Sequence, residues 1–150
     1  MILDERLEFA DAVALNTGAV GSYLIGDVID LQVARDIGNG ETAYVVIQID
    51  TLPTSGGSAT AAFSLCSDAQ AAIAVDGSQT THATTGAKTI AQMPAGTRFI
   101  LPIPAEGSVY ERYVGIVQTT GTAAFTAGKI NAFITLDNPA TWKSYADAQN

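Results

Sequence analysis

The sequence is poor in the residues that build catalytic and metal centres. It has one cysteine, Cys66, and one histidine, His82. A single cysteine excludes an intrachain disulfide, so the fold owes nothing to an oxidising compartment. A structural zinc site takes three or four His, Cys or carboxylate ligands, a set this composition does not favour. Charge is scarce as well: Asp, Glu, Lys and Arg make up 15% of the chain, against an average of about 25%. Bases are the scarcer sign, seven against fifteen acids, for a formal net charge of −8. Such a chain repels phosphate backbones, so no nucleic-acid partner is expected. No apolar run approaches the roughly 20 residues of a membrane span, and no membrane partner is expected. The opening run MILDERLEF has acids where a signal peptide needs bases, so synthesis and folding in a cytoplasm are expected.

What is present is apolar and patterned for strands. Hydrophobic residues are 47% of 150, enough for one domain with a core of its own. Period-two alternation marks half-buried strands. It puts Val45, Ile47 and Ile49 on one face; Ala59, Ala61, Phe63 and Leu65 on another; then Phe99, Leu101 and Ile103; and Ile130, Ala132, Ile134 and Leu136. Val45, Ile47, Ile49, Phe63, Leu65, Phe99, Leu101, Ile130, Ile134 and Leu136 are the expected interior. Weaker patterns at Ile25–Leu31, His82–Ile90 and Arg112–Thr120 suggest three more strands, the last buried on both sides. Turn signals such as Gly38-Asn39-Gly40, Asp76-Gly77 and Pro94-Ala95-Gly96 separate the runs. Seven to nine strands at this spacing predict an antiparallel β-sandwich or barrel. Asp4–Leu15 fits a short helix or an extended N-terminal arm, and Ala-rich Asp68–Val75 fits a second short helix. Residues 1–137 form the expected single domain. Residues 138–150, with Trp142 and Tyr145, form a short C-terminal tail.

A search for chemistry returns no constellation. A Ser–His–acid triad is formally open to His82, but no Gly-x-Ser-x-Gly elbow is present. Cys66 falls on the polar face of its strand beside Ser67 and Asp68, without the bases that make a thiol reactive. Asp27, Asp30 and Asp36 are the nearest carboxylate group, and their spacing is not that of a calcium loop. The pairs Asp4 with Glu8 and Glu106 with Glu111 carry no glycosidase motif. No catalytic, cofactor-binding or metal-ligating residue is therefore assigned, no cofactor is expected, and the chain is not expected to be an enzyme.

Interaction surface is the stronger theme. Met1–Asp50 hold nine acids and only Arg6 and Arg35 as bases, so most of the net charge lies in the first third. Phe133, Tyr44 and Leu52 fall on the outer faces of their strands, where a partner would find them. Candidate interface residues are thus Leu3, Asp4, Glu5, Leu7, Glu8, Phe9 and Asp11 near the N-terminus, with Phe133. Two plainer alternatives stand beside this: acids that only aid solubility, and an outer face covered by the chain's own arm or tail.

Five stretches carry a resemblance: MILDERLEFADAVAL, VIDLQVARDIGNGETAYVVIQIDT, RFILPIP with ERYVGIV, and FTAGKINAFITLD. In order and spacing the chain, from Met1 to Asp137, resembles the capsid cement (decoration) proteins of short-tailed bacteriophages, of the type on a Bordetella phage head. The resemblance implies a jelly-roll sandwich without catalytic residues. It also implies a virion location on the outer face of the capsid, with the major capsid protein and further copies of the chain, as dimer or trimer, for partners. A carbohydrate- or receptor-binding β-sandwich of a virion is the alternative.

Overall fold

The computed structural model describes residues 4–35, 37, 42–73, 75–104 and 109–139. These form nine strands: β1 Glu8–Ala14, β2 Gly21–Asp30, β3 Tyr44–Thr54, β4 Thr60–Asp68, β5 Thr80–Thr84, β6 Lys88–Thr89, β7 Arg98–Pro102, β8 Tyr113–Gly121 and β9 Ala127–Thr135. Two 3-10 turns, Glu5–Leu7 and Ile90–Gln92, accompany them. No helix among the described residues is long and apolar enough to cross a membrane.

The strands make two antiparallel sheets, β1-β9-β3-β7 and β2-β8-β4-β5, with β6 continuing the β5 edge alongside β4. The pairing is nested: β1 with β9, β2 with β8, β3 with β7, β4 with β5 and β6. That is one long hairpin rolled up so that β9 meets β3 and β8 meets β4. A rolled hairpin of eight strand positions in two sheets is a jelly roll.

The alternation read from the sequence builds the space between the sheets. Val45, Ile47, Ile49, Phe63, Leu65, Ile116 and Ile130 are fully buried there, and Leu101 and Ile134 nearly so. Strand β8 is buried on both faces, as its pattern predicts. Val114 and Ile116 enter the main core, while Val117 joins Cys66 and Ile73 in a second cluster outside the five-stranded sheet, with Leu24 and Val28 against it. Ile73 comes from the connection after β4, which folds over that face.

Several expectations are corrected. Leu136 is 62% exposed because β9 ends at Thr135 and the backbone leaves the sheet before the next inward position. Phe99 is only half-buried, since β7 is an edge strand, and Lys88 Nζ sits 5.8 Å from its ring centre. Asp4–Leu15 is neither helix nor projecting arm: after the 3-10 turn it becomes β1, paired with β9. The Ala-rich segment after Asp68 forms turns, begun where the Gln70 N–H donates to Asp68 Oδ1 at 3.1 Å. Trp142, Tyr145, Leu3, Asp36, Glu106 and the Gly38-Asn39-Gly40 turn lie outside the described residues.

Two polar side chains hold the sandwich together, and one of them, Gln118, stands at a position the pattern assigns to an apolar residue. Gln118 follows Val114 and Ile116 on the inward face of β8 and is fully buried. Its Oε1 accepts from Asn16 N at 2.9 Å, and its Nε2 donates to Asn16 O at 3.1 Å and to Thr120 Oγ1 at 2.8 Å. One side chain therefore satisfies both backbone groups of Asn16, on the crossover from β1 to β2. Gln118→Leu keeps the volume but leaves those part-buried groups, and Thr120 Oγ1, without this partner. It is expected to cost about 3 kcal/mol in chemical denaturation. Asn131 acts similarly on β1: its Oδ1 accepts from Ala12 N at 2.6 Å, at a bulge where Ala12 has φ +48°.

Candidate functional site

The structure brings together one group that resembles a catalytic arrangement. β4 and β5 are antiparallel, and their register slips between Leu65↔Ala83 and Cys66↔Thr81, leaving His82 as the extra residue of a bulge. A bulge re-aims its side chain. His82 Nε2 lies 2.8 Å from Ser67 Oγ, and the ring stacks on Tyr110 with centroids 3.8 Å apart and planes 20° apart. Ser67 Oγ also accepts from the Glu111 N–H at 3.1 Å, and Tyr110 OH donates to Pro104 O at 3.3 Å.

A serine nucleophile needs a route for substrate and a lone pair aimed at it. Ser67 has 0% exposure, its oxygen accepts from the Glu111 amide, and it shares a hydrogen bond with the imidazole. The arrangement ties β4, β5 and the entry to β8 together at one end of the sandwich.

Burial holds the His82 pKa below its ordinary 6.5. The folded state therefore binds this proton less readily than the unfolded chain. The stabilisation is complete above pH 6.5 and is lost as pH falls from there toward the lower folded value. His82→Gln is expected to flatten that limb of the stability curve. Thermal melts of both proteins between pH 7.5 and 5 check this; parallel curves would contradict it.

Cys66 is buried in the outer cluster, its Sγ 3.4 Å from Thr81 Oγ1, and burial pushes the thiol pKa up. A raised pKa disfavours the thiolate, so the residue packs rather than reacts.

The expected interface residues divide. Asp4, Glu5, Leu7 and Asp11 are exposed and Glu8 is half-buried. Asp4 Oδ1 accepts from Arg6 N at 3.0 Å and caps the 3-10 turn. Glu5, Glu8 and Asp11 line a shallow depression of about 230 Å³ with Phe9, Ala10 and, from β2, Asp27. No group of three or more His, Cys, Asp or Glu among the described residues is placed to hold a metal ion. Phe9 is fully buried in the core, so its side chain offers nothing to a partner.

Phe133 is also corrected. Although it lies outside the main core, it is only 5% exposed, and its neighbour Val46 on β3 is fully buried. The outer face of the four-stranded sheet is covered here within the single chain. Of the three residues expected outward, Leu52 alone is openly exposed, and Tyr44 is half-buried.

One ion pair closes the end of the sandwich. Arg112 holds Asp30 through two bonds, Nε to Oδ1 at 2.9 Å and Nη2 to Oδ2 at 2.8 Å, joining the end of β2 to the start of β8. The guanidinium holds the Asp30 carboxyl at about 2. Asp30 stays ionised throughout the physiological range.

The nested pairing defines a jelly-roll protein in which Gln118, Ser67 and Asn131 tie neighbouring segments together. The chain belongs to the Bbp16 family, whose model matches residues 9–134. That family name associates it with a Bordetella phage. No curated protein matches the chain.

Proposed function

We propose that the chain is a structural virion protein that binds the outer surface of a phage head and bridges major capsid protein subunits. The observation that carries this reading is membership of a phage-associated family by nearly the whole jelly roll. The mechanism is linkage. Head expansion during DNA packaging separates capsid contacts, and a subunit that binds only the expanded lattice stabilises that state by mass action. Repetition over many sites multiplies a modest energy per site. Contacts between copies, as dimer or trimer, would add avidity.

The test is co-sedimentation with purified heads lacking the protein. Saturable binding supports the reading. Absence of binding to heads, with binding to glycans instead, favours a receptor-binding module. The exposed acids give a further expected outcome: if they meet a basic capsid surface, binding weakens as salt rises, because exposed charges are screened over about 10 Å at 0.1 M. Neutralising Asp4, Glu5, Glu8 and Asp11 together should weaken binding several-fold, each exposed pair contributing about 0–1 kcal/mol. A flat salt response with undiminished binding of that variant would reduce these acids to a solubility role.

A further inference from the structure

The two ends of the sandwich differ in chemistry. The tight connections 15–20, 55–59 and 122–126 lie at one end. At the other, β2, β4, β7 and β9 finish and β3, β5 and β8 begin. Asp30 and Asp68 both pair with Tyr113 there, and Tyr110 OH reaches Pro104 O. Most of the exposed large apolar residues lie at that second end, while Val20 and Leu52 lie toward the first. Leu7 precedes β1, Val33 follows β2, Val109 precedes the Arg35↔Tyr110 bridge and Leu136 follows β9, with exposures of 38, 56, 53 and 62%. The exposed acids Asp4, Glu5, Asp76 and Asp137 lie around the same end and outnumber its exposed arginines, Arg6, Arg35 and the Asp30-paired Arg112. Both described lysines lie toward the opposite one: Lys129 pairs with Ala14 and Thr51, and Lys88 with Ala61 near the start of β4.

We infer that the end of the sandwich carrying Leu7, Val33, Val109 and Leu136 is the surface that seats on the capsid, and that it fits a basic protein surface with an apolar centre. This rests on the head-binding reading above and adds the orientation of the subunit. Apolar side chains left open at one end supply burial on docking, at about 25 cal/mol per Å² of apolar surface removed from water. The acids around them repel acidic partners and select a basic one. The lysine end then points away from the head.

The experiment compares binding to purified heads by three proteins: wild type, Val33→Ser/Val109→Ser/Leu136→Ser, and Lys88→Gln/Lys129→Gln. All five substituted side chains are at least partly exposed, so melting temperatures should stay close to wild type. The inference expects the serine variant to lose about tenfold or more in affinity and the glutamine variant to bind like wild type. A serine variant that binds like wild type, or an equal loss in the glutamine variant, overturns it. Carboxyl footprinting of wild type on heads gives a second readout without substitution: Asp4, Glu5 and Asp137 should be protected and Asp50 should not. The reverse pattern overturns the orientation even if head binding stands. Failure of wild type to bind heads overturns the head-binding reading and this inference with it.

Discussion

Phe133→Asp is expected to abolish a stable fold. Phe133 is 5% exposed, pairs with Glu8 on one side and Val46 on the other, and sits on the central strand β9. Removing the ring alone costs about 3–5 kcal/mol in buried sites. A carboxylate in the same place must also be desolvated without a partner, or take up a proton. Against a total stability of about 5–15 kcal/mol, the sum removes most of the margin. The variant should melt roughly 10 °C lower or more, or fail to accumulate as folded protein. Phe133→Leu, which keeps an apolar side chain, should retain most of the stability. Circular dichroism melts of the three proteins check this. An Asp variant that melts like wild type would place Phe133 at the surface and restore it as an interface candidate.

Gly26→Ala is expected to have the next largest effect. Gly26 interrupts β2 at a bulge with φ +74°, and a Cβ there would lie 2.0 Å from the Phe9 carbonyl oxygen and 3.2 Å from Ala10 Cβ. The nearest atom is backbone of β1, in the opposite sheet, so rotating a side chain relieves nothing. Left-handed backbone costs a non-glycine residue about 1–2 kcal/mol, and overpacking adds about 1–3 kcal/mol. The expected loss is about 3 kcal/mol, or about 6–12 °C in melting temperature. Gly86→Ala separates the two causes. Gly86 has φ +66° but nothing within 4 Å of a built Cβ, so it should show the backbone cost alone. Equal losses in the two variants would contradict a collision between β1 and β2.

The sequence alternation reads correctly where strands are regular. β3, β4 and β9 display their inward residues every second position, and the core follows. It fails where bulges change parity. In β1, register shifts on both sides of Ala10 let Phe9 and Ala10 be buried together, and the spacing of Leu7, Ala10 and Ala14 resembles a helix. β2 is disrupted in the same way at Gly26. Outer faces are harder still. Parity says that Phe133 faces away from the sandwich core, but not that the chain covers it there.

The candidate residues show the same limit. Ser67 and His82 are fifteen apart, and only the bulge in β5 turns the ring onto the serine. Gln118 was legible in principle, as a polar residue in step with Val114 and Ile116. Its partner Asn16 is 102 residues away and carries no signal. The acids of the first third are visible in composition. Their meeting with Asp27 at one depression depends on the approach of β1 to β2 at Gly26.

The most direct test of capsid cementing is the stability of the head itself. Expanded heads lacking this protein should be heated with and without saturating amounts of the purified chain, and DNA release followed by dye fluorescence. The account predicts that added protein raises the release temperature, saturably and in step with the amount bound. Heads that bind the protein fully yet release DNA at an unchanged temperature would contradict it.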